Sequence, residues 1–291
     1  MIRIAFLGCD SSHTEAFANR INPLGALFNG RAKVVSIWGE DLSQATVKAT
    51  ALGIDRVAAT PADALEGVDL AMVIGRFGES HFTAAMAAID AGLPTFVDKP
   101  FTVNNVEARH LATMARKRGI PLASVSPLRF AKEVAALKSQ IATDGEWECI
   151  AAACPANCTD LGNDPRLDSA FFYGIHGLEM LLELTGHDIA DAVISYGNRA
   201  ISVRIEFESG RSALFELIRN APEFYEIAAY TKVTAQRLNI SLDGSYYEAE
   251  LEALLGSFAT GGGFISLDSS LAAVELLERI EQNDPFKGNA K

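Results

Sequence analysis

Ile2-Arg3-Ile4-Ala5-Phe6-Leu7-Gly8-Cys9-Asp10-Ser11-Ser12-His13 opens the chain and decides how the rest is read. A run of apolar and β-branched residues ends in a glycine, then a short polar turn, then a helix-period stretch over 13–21. The order is strand, tight turn, helix N-terminus. The alternation repeats down to about residue 125. Strands are expected at 2–7, 33–38, 68–74, 94–97 and 121–125, with helices near 13–21, 43–52, 80–91 and 104–118. Gly53, Gly92 and Gly119 each follow a helical stretch, where a left-handed residue closes the last turn. Strand and helix in strict alternation imply parallel strands joined by right-handed crossovers, hence an α/β, doubly wound sheet.

Beyond residue 125 the pattern changes. A helix is expected at 130–141, a strand at 147–153, a polar loop at 155–166 and a strongly apolar helix at 168–184, stopped by Gly186. Strand-like runs follow at 192–196, 200–207, 212–218, 225–231 and 233–242, some joined by short turns such as 208–211, which favours antiparallel pairing. A helix at 246–258, a flexible Gly261-Gly262-Gly263 and a last helix at 269–282 complete the chain. Two domains are therefore expected. Residues 1–125 form a Rossmann-type dinucleotide-binding domain. Residues 126–291 form an α+β domain with an open, mainly antiparallel sheet, whose last helix can pack back on the first domain. The length of 291 residues is about where one hydrophobic core gives way to two.

Composition narrows the partners. Hydrophobic residues make up 49%, enough for a substantial core. The net charge of -12 repels phosphate backbones, so no nucleic-acid partner is expected. No apolar run approaches the roughly 20 residues needed to span a bilayer, so no membrane partner is expected. The N-terminus enters a strand directly, without a signal-peptide pattern, and a cytoplasmic protein with reduced Cys9, Cys149, Cys154 and Cys158 is expected. Cys149 and Cys154 lie an odd number of residues apart in or beside one predicted strand. Their side chains then point to opposite faces, and no metal site is expected.

The loop after the first strand stands where backbone N–H groups hold a pyrophosphate. A G-x-G-x-x-G loop would have glycine at positions 10 and 13, where this chain has Asp10 and His13. Asp10 either turns away from a bound phosphate or caps the helix, and Ser12 makes a capping-box pattern with Glu15. The loop alone is read equally well as a dinucleotide site or a plain helix cap. Glu40, at the end of the second strand, is placed to bind the adenosine ribose; otherwise Glu40 and Asp41 form a polar turn. The fourth expected parallel strand ends in Asp98-Lys99-Pro100, which puts Lys99 at the ligand edge of the sheet or in a surface turn. In Tyr173-Gly174-Ile175-His176-Gly177-Leu178-Glu179, residues 173, 176 and 179 share neighbouring helical ground. The carboxylate would orient His176 as an acid–base, unless His176 is a satisfied core histidine. The glycines at 174 and 177 imply a close approach to this helix.

At these residues the chain resembles the Gfo/Idh/MocA oxidoreductase family. Residues 73–81 occupy the place of that family's I-A-T-P-N-x-x-H loop, Asp98-Lys99-Pro100 that of E-K-P, and residues 174–179 that of G-x-H-x-x-D. Ser126-Pro127-Leu128-Arg129-Phe130 is similar to its arginine-containing segment. Within the family, a branch with a G-x-D-[ST]-S-H loop is the nearer match. The resemblance implies NAD(H) or NADP(H) and a sugar- or polyol-like substrate, with Lys99, His176 and Glu179 catalytic. It implies cofactor contacts from Gly8, Asp10, Ser11, Ser12, His13, Glu40, Gly75, Arg76, Phe77, His81, Asp98 and Lys99, and substrate contacts from Arg129, Tyr173 and His176. NAD(H) is expected over NADP(H), because Glu40 and Asp41 repel a 2′-phosphate and no Lys or Arg lies between Trp38 and Val47. A homo-oligomer, dimer or tetramer, is expected through the second-domain sheet. The competing functions are an NAD-retaining enzyme of another class (epimerisation, elimination or glycoside cleavage) and a non-catalytic nucleotide-binding protein.

Overall fold

The first strand pairs on both sides with parallel neighbours, and this arrangement organises the N-terminal half. The computed structural model describes residues 1–23, 27–158, 164–260 and 265–286. The chain divides into two compact units. The first comprises Met1–Thr102, Val106–Val125 and Tyr247–Leu267; the second comprises Val103–Asn105, Ser126–Tyr246 and Asp268–Lys291. The helix that joins the first unit is therefore not the last one. It is the one before it, and the last helix clusters with the second unit.

In the first unit, β1 (Ile2–Leu7), β2 (Ala32–Trp38), β3 (Arg56–Val57), β4 (Leu70–Val73), β5 (Thr95–Val97) and β6 (Leu122–Ser124) form one parallel sheet in the order β3-β2-β1-β4-β5-β6. The helices are α1 (His13–Ile21), α2 (Leu42–Leu52), α3 (Pro61–Ala64), α4 (His81–Asp90) and α5 (Asn105–Arg118). Every side chain of β4 and the last four of β1 are buried, as a sheet covered on both faces requires. β3 and α3 escape the sequence reading, because a two-residue strand and a single helical turn carry no period. Asp98 consequently follows the fifth strand in chain order, not the fourth.

Strand order reverses between β1 and β4, and there the register aligns Leu7 with Val73 and Val73 with Val97. The residues that follow these strands, Gly8, Ile74-Gly75 and Asp98-Lys99, thus share one edge. It is the carboxyl edge at a topological switch point, where open α/β sheets take their ligands.

The second unit holds α6 (Lys132–Asp144), β7 (Trp147–Pro155), α7 (Gly174–Thr185), β8 (Ile189–Tyr196), β9 (Ala200–Phe207), β10 (Ser212–Ile218), β11 (Glu226–Thr231), β12 (Ala235–Asn239) and α9 (Asp268–Gln282). Its sheet runs β12-β11-β7-β10-β9-β8. Pairing is antiparallel except between β7 and β10, which run parallel. Burial alternates along β9 and β10, so one face is covered and the other is not. The covering helix α7 starts at Gly174, six residues later than the sequence suggests. Upstream, Ser169 and Asp168 bond locally and across the unit, Ser169 Oγ to Glu281 at 2.9 Å and Asp168 to Asn157, in competition with helical pairing. The close approach implied by the two glycines is helix against sheet: a Cβ on Gly174 would meet Leu217 at 2.8 Å, and one on Gly177 would meet Cys154 Sγ at 2.6 Å. Part of the loop expected at 155–166 and the Gly261-Gly262-Gly263 segment lie outside the described residues. No helix among the described residues is long and apolar enough to cross a membrane.

Candidate active site

Gly8 follows β1 with φ at +108°, a conformation that suits glycine. A Cβ there would stand 2.5 Å from the backbone nitrogen of Gly75, so the two loops pass back to back. Beyond Gly8 the chain turns into α1, and His13 N–H is received by Ser11 Oγ at 3.1 Å. Ser12 makes no side-chain cap, and neither does Asp10. The backbone N–H groups of Asp10, Ser11 and Ser12 donate to no acceptor among the described residues. A glycine cradle and unspent N–H donors at the start of a nine-residue helix fit a pyrophosphate.

The two residues that replace loop glycines both bond to other loops, Asp10 at the surface and His13 in the interior. Asp10 Oδ1 accepts the backbone N–H of Arg76 at 3.0 Å, which ties the first loop to the second. His13 is 6% exposed and directs Nδ1 to Asp98 Oδ2 at 2.6 Å. Burial raises the Asp98 carboxyl, but His13, Lys99 and His81 outweigh it and hold it below its ordinary value. His81 is fully buried, its ring nitrogens 2.8 Å from Pro100 O and 2.9 Å from Gly75 O. It therefore braces the loops that carry Gly75 and Pro100. Phe77 is buried and Arg76 lies over its ring at 5.6 Å. Lys99 is 8% exposed at the end of β5.

At the end of β2 the acids divide their work. Asp41 caps α2, its carboxylate accepting Ser43 N–H at 2.8 Å and Gln44 N–H at 3.2 Å; these bonds, led by that from the Ser43 hydroxyl, hold it below its ordinary value. Glu40 is exposed. Lys48, one residue beyond Val47, reaches Ser11 O and Glu15, each at 3.0 Å. Cys9 is buried beneath the loop, and burial first, then Asp10, pushes its thiol up to about 11.

The second unit assembles its own cluster. His176 is half-buried, its Nδ1 2.7 Å from Ser126 Oγ. Glu179 is fully buried and does not bond His176. Its carboxylate accepts Ser126 N–H at 2.7 Å and the Ser270 hydroxyl at 3.0 Å, with Arg129 at 3.7 Å. Its effect on His176 therefore passes through Ser126. Burial pushes the Glu179 carboxyl up, against the pull of Arg129. Arg129, expected to meet substrate, is occupied by Glu183, which accepts its Nε–H at 2.9 Å. Burial would raise Glu183, but Arg129 and Lys138 together hold it below its ordinary value. Tyr173 is buried just before α7, and the Tyr225 ring stands edge-on to His176 at 5.4 Å. Burial foremost raises the Tyr225 hydroxyl. Ser270 and Tyr225 carry no sequence signal, and Ser126 is marked only as part of the segment that holds Arg129, since their partners meet them only in the fold. Cys149 is half-exposed and Cys154 buried on β7, and no metal-holding group of side chains occurs among the described residues.

A parallel sheet whose switch point presents a glycine cradle and a helix N-terminus is a dinucleotide-binding Rossmann domain. Residues 2–125 match the model of the oxidoreductase family with an NAD-binding Rossmann fold, GFO_IDH_MocA. No curated protein sequence matches the chain. Among solved structures, it is similar to UDP-N-acetylglucosamine 3-dehydrogenase GnnA from Acidithiobacillus ferrooxidans, with 18% identity, 97% of each chain covered and a TM-score of 0.79. It is similar to scyllo-inositol dehydrogenase from Lactobacillus casei with bound NAD(H) and scyllo-inositol, with 14% identity, 98% of each chain covered and a TM-score of 0.80. Biliverdin reductase from Synechocystis, in complex with biliverdin and NADP+, shares 16% identity over 97% of this chain and 99% of its own, with a TM-score of 0.73. These likenesses extend the shared fold over both units.

Proposed function

We propose that the protein is an NAD(P)-dependent oxidoreductase that transfers a hydride between a nicotinamide cofactor and a hydroxyl or carbonyl carbon of a sugar- or polyol-like substrate. The observation that carries this reading is the cradle of Gly8, Gly75 and the Asp10–Ser12 N–H groups on a domain of this family. The substrate class follows the dehydrogenases of similar fold. The cofactor, when bound, supplies or accepts the hydride. Lys99, at the carboxyl edge of the sheet, holds the substrate oxygen and stabilises negative charge on it. His176 gives or takes the hydroxyl proton at Nε2, since Nδ1 is held by Ser126. Gly8, Ser11, Ser12, Glu40, Gly75 and Arg76 hold the dinucleotide, while His13, His81 and Asp98 support them. Screening polyols, aldoses and inositols with NAD+ while following NADH absorbance tests the reading; binding without turnover on any of them would replace it with a nucleotide-binding role.

NAD(H) is the proposed partner over NADP(H). Glu40 is exposed at the ribose end, Asp41 already fills the α2 N-terminus, and Lys48 is held by Glu15. NADH should bind at least about tenfold tighter than NADPH. Fluorescence titration of both checks this, and tighter NADPH binding reverses the assignment.

The uncovered face of the second sheet is the proposed self-association surface. Val193, Leu214 and Tyr230 are exposed on it, and Leu214 and Val193 both pair with Arg204 in one row. Light scattering should give a dimer or tetramer that Leu214→Glu dissociates; a monomeric wild-type protein refutes it. Cys9, Cys149, Cys154 and Cys158 form no disulfide among the described residues.

A further inference from the structure

Tyr247 lies in the first turn of α8 (Ser245–Thr260), 234 residues from His13, yet its hydroxyl stands 2.9 Å from His13 Nε2. It belongs to the same unit as the dinucleotide cradle. The His13 ring is edge-on to Phe17 at 5.5 Å and to Tyr247 at 5.1 Å. Arg20 lies 5.4 Å from the centre of the Tyr247 ring. Asp98 and His13 are 1% and 6% exposed, so the polar atoms of these two side chains are withdrawn from water, while Tyr247 is half-buried.

The chemistry of the three groups fixes their roles. Asp98 is held below its ordinary value and is ionised, so it only accepts. At 2.6 Å from that carboxylate, His13 Nδ1 must carry a hydrogen, because two lone pairs would repel at such a distance. The contact is an ion-pair approach bent away from good hydrogen-bond geometry. With that hydrogen on Nδ1, the ring's other nitrogen, Nε2, is left to pair with the Tyr247 hydroxyl, and in the Nδ1–H tautomer it accepts from it. That bond is the directional one on the ring. Phenylalanine at 247 would fill the space and keep the edge contacts but would leave Nε2 without its donor.

We propose that Tyr247 is a positioning residue of the dinucleotide site, acting through His13 to hold the 8–13 loop and the Asp98-Lys99 turn in one arrangement. His13 is the first residue of α1, directly after the three N–H groups available to a pyrophosphate. Asp98 directly precedes Lys99, and its own N–H is pinned to Val73 O at 2.8 Å. One imidazole therefore joins the phosphate loop to the lysine, and Tyr247 sets its orientation. This rests on the dinucleotide reading above. It also accounts for two departures from the family pattern at once: the shorter acid at 98 is met by the imidazole that stands where a glycine is usual.

The test titrates NADH into the wild-type protein, Tyr247→Phe, His13→Gln and the double variant. Tyr247→Phe should weaken NADH binding about fivefold to tenfold, the usual effect of one buried hydrogen bond. The double variant should bind no more weakly than His13→Gln alone, since residues in one chain of contacts are not additive. Nitrogen-15 spectra of the wild-type protein at mildly alkaline pH should show His13 protonated at Nδ1 and not at Nε2. Unchanged NADH binding by Tyr247→Phe, additive effects in the double variant, or an Nε2–H tautomer would each overturn the proposal. A wild-type protein that does not bind NADH would instead bring down the dinucleotide reading, and the proposal with it.

Discussion

Replacing His176 with alanine should lower turnover by about 10²–10⁴-fold, the usual contribution of a positioned acid–base, while the protein stays folded and still binds NADH. The expectation follows from where the residue sits. His176 is half-buried on α7, so its loss removes no core side chain, and the cradle proposed for the dinucleotide is built from other elements. The loss should appear mainly in kcat. Lys99→Ala should be comparably damaging to turnover and should weaken NADH modestly. Glu179→Gln should be milder. It removes a charge that reaches His176 through Ser126, so the rate profile should move to lower pH. Steady-state kinetics on whichever polyol or sugar is turned over, with NADH titration as the folding and binding control, decides the matter. Near-normal activity in His176→Ala would make His176 a structural residue and remove it from the proposed mechanism.

Gly8→Ala should abolish measurable NADH binding and lower the melting temperature by about 5–10 °C. Two costs coincide at this position. A side chain at φ +108° is strained by about 1–3 kcal/mol. The new Cβ would also stand 2.5 Å from Gly75 N and 2.7 Å from Gly75 Cα, backbone atoms that can yield only if the second loop moves. Moving that loop disturbs the Asp10–Arg76 bond and the His81 brace together. Gly53→Ala is the control: its φ is +65°, but nothing lies within 4 Å of the added carbon, so strain acts there without a clash. Thermal unfolding and fluorescence titration of both variants separate the two costs. If Gly8→Ala binds NADH as the wild-type protein does, the cradle is not the dinucleotide site.

The sequence was most legible where period and burial coincide. β1, β9 and β10 fall at the residues that apolar runs or strict alternation mark, and α1 starts and stops where its pattern does. Legibility failed wherever a contact spans the chain. The parallel pairing of β7 with β10 is invisible to a reading that joins neighbouring strands into hairpins. The start of α7 was misplaced because Asp168 and Ser169 bond outward instead of continuing the helix. Asp10 looked electrostatically awkward in its loop because its partner, the Arg76 amide, is 66 residues away. Helical spacing puts Glu179 beside His176, but only the fold brings in Ser126 and Ser270, the groups that its carboxylate holds. Motif order marks the candidate residues, and only the fold shows what each of them touches.

The passage of the chain from Tyr246 to Tyr247 and back at Leu267 means that the Rossmann unit is not a contiguous stretch of sequence. A fragment cut at Val125 would omit Tyr247–Leu267, a segment in which Leu251 and Leu254 are fully buried and whose first residue anchors His13. Grafting or excising this nucleotide-binding module therefore requires two separated pieces, which must be stitched together before the loop that begins at Gly8 has its full support.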